Sequence, residues 1–290
     1  MIICVDLGAT EIKVATATGN QVPVVSETKK IPTRAKDGKE GILAALHCAI
    51  AGCDIASAKG IAVATAGTVD ENRAVISYAT ENLPGMTGFD FAEFCNQRFH
   101  LPVSVINDAH AALLGEMAYG AGKDFRSSKV AMLTLGSGVG GGYFAQGKIV
   151  ADQTNDFARF GHICLHANGK KCTCGKRGCV ETYLSGRAIH KEAKKRGIDD
   201  DLFKNYLAGQ AQTVGFVEDL RKNIKLTLQK VAHICPFDVC IIGGGVADWM
   251  GDAFDKIFDG LGFNVLRATL GNNAGIYGAF ANYIAKEGAL

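Results

Sequence analysis

Between Gly161 and Glu181 the chain reads GHICLHANGKKCTCGKRGCVE: one histidine, His162, then Cys172, Cys174 and Cys179, with Gly169, Gly175 and Gly178 among them. No other stretch limits folding so tightly. Three thiolates and one imidazole make a closed tetrahedral set for Zn²⁺, and glycines let so short a loop turn back on the ion. A closed set leaves no position for water, so such an ion holds structure and does no chemistry. The plainer alternative is three buried thiols beside a core histidine. A metal here would fix His162 and Glu181 at the two ends of one rigid knuckle, where both can face a ligand.

Glycines elsewhere are clustered too. Ile2–Val5 reads as a strand that enters Asp6-Leu7-Gly8-Ala9-Thr10-Glu11-Ile12-Lys13 and returns through Val14–Ala17. Val130–Leu135 is a strand leading into Gly136-Ser137-Gly138-Val139-Gly140-Gly141-Gly142, with a return strand starting at Tyr143. A third cluster, Gly243-Gly244-Gly245, follows the strand Val239–Ile242. The pattern of strand, Asp or Ser with glycines, and strand therefore occurs twice. It predicts two domains of one architecture, each opening with a hairpin.

Between these markers, Asp37-Gly38-Lys39-Glu40 has capping-box spacing before a helix with an apolar face of Ile42, Leu43, Leu46 and Ile50. Ile61–Thr65 is a strand followed by a turn at Gly67. Pro102–Ile106 is another, ending at Asn107-Asp108 before a helix from Ala109 to Met117. Gly120-Ala121-Gly122 marks a boundary. Helices are expected over Thr182–Arg196, Asp200–Leu207 and Val214–His233, with a final one from Ala274 to Lys286 packing back on the first domain. The expected division is residues 1–119 with 273–290, and residues 120–272.

Backbone amides of glycine-rich turns at strand ends can face anionic oxygens. Asp6, Gly8, Thr10 and Lys13 are the candidates in the first turn, Gly136, Ser137 and Gly138 in the second, and Gly243, Gly244 and Gly245 in the third. Singly, such glycines close ordinary hairpins more often than they hold phosphate. Together they suit an α/β, two-domain actin-like or ribonuclease-H-like ATPase fold with a nucleotide cleft between the domains. No Gly-Lys-Ser/Thr is present, which argues against a Walker P-loop. Asp6 can hold Mg²⁺ beside nucleotide phosphates or cap its own turn. Asn107-Asp108 reads as a helix N-cap, or places Asp108 as a general base toward a hydroxyl. The two roles are compatible, because a helix N-terminus favours the ionised carboxylate.

The formal charge is 31 − 29 = +2, with no basic block, which disfavours nucleic acid and anionic membranes as partners. No apolar run reaches the length of a membrane span, and no basic leader follows Met1, so a cytosolic chain is expected. Its 10 cysteines then read as thiols or metal ligands, not disulfides.

His162, nine residues, then Cys-x-Cys-Gly-x-x-Gly-Cys-x-Glu resembles the signature of the ROK family, named for repressors, open reading frames and sugar kinases. Asp6-Leu7-Gly8-Ala9-Thr10, Asn107-Asp108-Ala109 and Leu135–Gly142 are similar to the family's first phosphate turn, catalytic block and second phosphate turn. The resemblance implies a sugar kinase using ATP with Mg²⁺, with a structural zinc and a homodimeric or larger assembly. It makes Asp108 the base and gives Asn107, His162 and Glu181 sugar contacts; Gly67, Thr68 and Thr80 fall at sugar-site positions by spacing. Repressor members carry an N-terminal helix-turn-helix, for which this chain, beginning at its first strand, has no room.

One departure stands out. Where the family reads Glu-x-Gly-His, this chain has Arg159-Phe160-Gly161-His162, a donor-only fork in place of an acceptor. It admits three explanations: a substrate with an anionic group, an Arg159 turned outward, or a sugar-binding sensor without turnover. Smaller departures are Ser137 for threonine, Glu11 for a basic residue, and Ala9 for glycine, the last also found in allose-kinase-like members.

Overall fold

The computed structural model describes residues 1–19, 23–150 and 156–288, with only the backbone at 156–158. The chain divides into two compact units, Met1–Lys123 with Asn273–Leu290, and Asp124–Asn272.

In the first unit β1 (Ile2–Leu7) and β2 (Glu11–Thr18) form an antiparallel hairpin with Asp6 opposite Lys13. β3 (Val24–Val25) and β4 (Lys29–Pro32) both pair with β2. β5 (Gly60–Thr65) runs parallel to β1, and β6 (Thr68–Asp70) with β7 (Val75–Tyr78) makes a separate ribbon. β8 (Val103–Asn107) completes the order β3-β2-β1-β5-β8.

The central strands are apolar on both faces because helices cover both. On one face Ile3, Val5, Leu7, Ile61 and Val63 are buried with Ile42 and Leu46 of α1 (Gly38–Ala51) and Phe91 and Phe94 of α2 (Phe91–Phe99). Burying each such side chain contributes roughly 1.5–3 kcal/mol. The capping box expected at α1 is not made. Asp37 caps no amide, and its carboxylate instead accepts from Arg34 Nε at 2.9 Å, a local ion pair that displaces the cap.

The opposite face is lined by small residues, Ala15, Ala17, Ala62 and Ala64. The C-terminal helix (Ala274–Lys286) buries Ile276, Ala279, Phe280 and Ile284 against them. That helix also lies close along α3 (Asp108–Tyr119). A methyl group on Gly115 would stand 2.6 Å from the Ala274 carbonyl, and one on Gly278 would collide with the backbone of Ala111.

The second unit repeats the local theme of hairpin plus parallel neighbour. β9 (Val130–Leu135) pairs antiparallel with β10 (Val139–Ala145), which β11 (Lys148–Ile149) extends. β10 begins at Val139, four residues before the expected start at Tyr143, so Gly140–Gly142 are strand residues and the turn is only Gly136–Gly138. The paired strand β9 offers backbone partners at these positions, and ladder bonding overrides glycine's poor strand propensity.

The stretch expected as one helix over Thr182–Arg196 is two, α4 (Glu181–Leu184) and α5 (Gly186–Lys195). They break at Ser185, whose extended backbone (ψ 151°) and hydroxyl, accepting from the Ala188 N–H at 3.3 Å, cap α5. α6 (Leu202–Leu207) and the long α7 (Ala211–Ile234) follow, then β12 (Val239–Gly243), α8 (Gly245–Met250), α9 (Phe254–Phe258) and β13 (Val265–Arg267). The sheet order is β11-β10-β9-β12-β13. Leu133, Leu135, Val180 and Leu184 share a core with Phe216, Leu220 and Leu228 of α7. Among the described residues no helix is long and apolar enough to cross a membrane.

Candidate active site

The first glycine turn is shaped from behind by Thr33, which is fully buried. Its hydroxyl donates to the Gly8 carbonyl at 2.7 Å and its N–H to the Thr10 carbonyl at 3.0 Å, while the Gly8 N–H donates to Glu11 at 3.1 Å. With those carbonyls engaged, the amides of Ala9 and Thr10 are the donors the turn can offer an anion. Asp6 and Lys13 face each other across the hairpin as an ion pair, Nζ to Oδ2 at 3.1 Å, with side chains 15% and 16% exposed. The C-terminal helix starts against this carboxylate. A methyl on Gly275 would lie 2.8 Å from Asp6 Oδ2, so that position must stay small and the helix's positive end sits near Asp6.

β8 delivers Asn107 and Asp108 to the start of α3. Asn107 is the N-cap: its Oδ1 accepts from the N–H groups of Ala109 (3.0 Å) and His110 (3.1 Å). Its Nδ2 donates to the Gly67 carbonyl at 2.9 Å and to Asp108 Oδ1 at 3.1 Å. Gly67, at φ +104°, and Thr68, the first residue of β6, are thereby tied to the Asn107-Asp108 corner. Thr80 is exposed in the turn beyond β7, where its carbonyl accepts from Leu83 at 3.0 Å.

Asp108 accepts from the Ala109 N–H at 2.9 Å. That bond and the helix terminus favour the carboxylate, yet the net shift runs the other way. Burial first, and the Asp6 carboxylate second, push Asp108 up to about 6. It is ionised at neutral pH and basic enough to take a proton, which is what a general base requires.

In the second unit the turn Gly136–Gly138 closes on itself through Gly136 N–H to the Gly138 carbonyl at 2.9 Å. Its other groups are tied to α4 and α5. Gly186 N–H donates to the Gly136 carbonyl at 2.8 Å, Arg187 Nε to the Ser137 carbonyl at 2.7 Å, and Val139 N–H to Glu181 Oε2 at 3.1 Å. The amides of Ser137 and Gly138 are left as donors among the described residues. The third cluster abuts the second: at Gly244 (φ +87°) a methyl would stand 2.6 Å from the Leu135 carbonyl. Gly243 closes β12 and Gly245 opens α8.

The knuckle brings together the four residues that the sequence nominates. The ligand atoms of His162, Cys172, Cys174 and Cys179 all lie within 4.8 Å of one another, with His162 Nδ1 and Cys172 Sγ 3.7 Å apart. Backbone bonds fold the loop around them, Leu165 N–H to Gly178 and Gly178 N–H to Lys170 both at 2.7 Å, and Cys172 N–H to Lys176 at 2.9 Å. Burial holds His162 below its usual range, so the ring is neutral, the form that ligates. Burial and the neighbouring thiols push Cys179 up to about 12. Three thiols and one imidazole held this close are a donor set that a dication would bind and deprotonate, so it fits Zn²⁺.

Arg159 is exposed at a kink (φ −105°, ψ 26°), between the segment entering the knuckle and buried Phe160. Its charge and that of Lys176 add to the lowering at His162, which Glu181 opposes. Three residues with parts in these arrangements give no motif signal in the sequence: Thr33 behind the first turn, Gly275 against Asp6, and Arg187 on the second turn.

The chain is similar to known proteins over nearly its whole length. The family model described as "ROK family" matches residues 2–286. A glucokinase from Halalkalibacterium halodurans is 30% identical, covering 94% of this chain and 92% of its own. An N-acetylmannosamine kinase from Citrobacter koseri is 27% identical over 84% of this chain and 83% of its own. Among solved structures, a glucokinase from Streptomyces griseus in complex with glucose and AMPPNP superposes with a TM-score of 0.81 at 29% identity, covering 99% of each chain. The architecture is therefore the α/β, actin-like ATPase fold expected from the sequence.

Proposed function

The chain belongs to the ROK family, and on that premise we propose that it is an ATP-dependent sugar kinase, passing the γ-phosphoryl group to a hydroxyl of a hexose or amino sugar. The observation that carries this reading is Asp108, a carboxylate at a helix start with a proton affinity raised to about 6. Asp108 takes the hydroxyl proton as the sugar oxygen bonds to the γ-phosphorus and the bond to the bridging oxygen of ADP breaks. Asn107, whose amide is already spent on the cap and on Gly67, fixes the base's position; Gly67, Thr68, Thr80, His162, Glu181 and Arg159 are the candidates for sugar contact.

The amides of the first and second turns, with Thr10 and Ser137, bind phosphate oxygens, and the glycines at 243–245 flank the nucleotide. Asp6 would hold Mg²⁺, whose charge neutralises the phosphates, and Lys13 would then be released toward them. His162, Cys172, Cys174 and Cys179 would hold a structural Zn²⁺.

ADP release coupled to an indicator enzyme, over a panel of hexoses, N-acetylhexosamines and sugar acids, tests the proposal. Asp108→Asn should cut turnover by roughly 10²–10⁴-fold while sugar binding persists; undiminished turnover refutes the base. Arg159 favours a second reading, a sugar sensor without transfer, since it offers donors where the family signature that the sequence resembles has an acceptor. Calorimetric sugar binding with no ADP formed from any sugar would decide for the sensor.

A further inference from the structure

We propose that Glu181 is a positioning residue for the nucleotide, through which the metal-tied knuckle sets the shape of the second glycine turn; this rests on the reading of that turn as a phosphate site. Both ends of the knuckle grip the same residue. At its start, Gly161 presses so closely on Val139 that an added methyl would collide with the Val139 carbonyl. At its end, Glu181 Oε2 accepts from the Val139 N–H at 3.1 Å. Val139 is the first residue after the turn, so its placement fixes where the turn closes.

The carboxylate also explains Gly138. A methyl there would stand 2.5 Å from Glu181 Oε2, so the turn passes directly over the oxygen. Glu181 in turn is immobilised from the knuckle. It lies two residues beyond the candidate ligand Cys179, whose carbonyl accepts from Thr182 N–H at 3.0 Å and Thr182 Oγ1 at 2.7 Å. Val180 N–H donates to Ile163, next to His162, at 3.0 Å, closing the knuckle's two ends on each other. Among the described residues Oε1 has no hydrogen-bond partner, so the two roles are separable by experiment.

The test is nucleotide affinity without sugar. A nonhydrolysable ATP analogue with Mg²⁺ is titrated calorimetrically into the zinc-loaded full chain, with metal content and thermal unfolding measured on each variant. Glu181→Ala should weaken binding about tenfold, whereas Glu181→Gln, which keeps an amide oxygen for Val139, should stay within about twofold of wild type. Gly138→Ala should also weaken binding by displacing the carboxylate, and should add nothing once Glu181 is alanine. Wild-type affinity in both Glu181→Ala and Gly138→Ala overturns the proposal while leaving the phosphate reading intact. A wild-type chain that binds no nucleotide overturns that reading and this inference together. If Glu181→Ala fails to fold, wild-type affinity in Gly138→Ala is enough to overturn the proposal, and weakened affinity there with Glu181→Gln unchanged upholds it.

Discussion

Replacing Asp108 by asparagine should stabilise the protein even as it removes the base. In the folded chain this carboxyl titrates at about 6 against an ordinary 3.8, a difference of about 2 units. Burial and the Asp6 carboxylate are the causes, in that order. A raised pKa means the native state binds more protons than the unfolded one between those values. Stability is therefore fully present below about 4 and is lost as pH rises through 6. At about 1.4 kcal/mol per unit, ionised Asp108 costs up to about 3 kcal/mol at pH 8 and roughly half that at pH 5. Asparagine carries no charge to desolvate, and its Oδ1 can still accept from Ala109 and Asn107. Urea denaturation at pH 8 and pH 5 measures the difference. Far-UV circular dichroism is the right probe, because the single Trp249 lies in the other unit. A gain of about 2–3 kcal/mol at pH 8 that shrinks by pH 5 is the expected result. A loss of stability at pH 8, or a difference independent of pH, would refute the reasoning.

Two further outcomes follow from the packing and the donor set. Elemental analysis of carefully prepared protein should find about one zinc per chain, and chelation or Cys179→Ser should lower the unfolding temperature reported by Trp249 by more than about 5 °C; zinc-free protein of unchanged stability would rule out the ion. Gly278→Ala forces a methyl into the backbone of Ala111, which cannot swing aside, and should cost about 1–3 kcal/mol or more in a denaturant titration. A neutral result would mean that the C-terminal helix is not seated as described.

The architecture is legible where residue type and spacing act locally. Ile2–Leu7 and Val130–Leu135 alternate between two buried faces, and each runs into glycines, so hairpins at both places can be read directly. The knuckle is legible because its donors crowd one loop. What cannot be read depends on partners distant in sequence. The raised proton affinity of Asp108 comes from burial and then from Asp6, about a hundred residues away, and the bond of Glu181 to Val139 joins residues 42 apart. The start of β10 at Val139 is hidden because glycines signal a turn until a paired strand claims them. Ser185 is hidden as a break because helix periodicity continues across it, whereas its capping hydroxyl ends one helix and begins the next.

The alanine-lined sheet face in the first unit bears on how the chain is made. Its cover, the helix at 274–286, is synthesised only after all of residues 124–272. During translation Ala15, Ala17, Ala62 and Ala64 therefore wait bare on the nascent chain while the second unit, contiguous in sequence, is free to collapse first. The half that begins first is completed last, so a ribosome stalled before residue 274 would leave an open apolar groove for chaperones to guard.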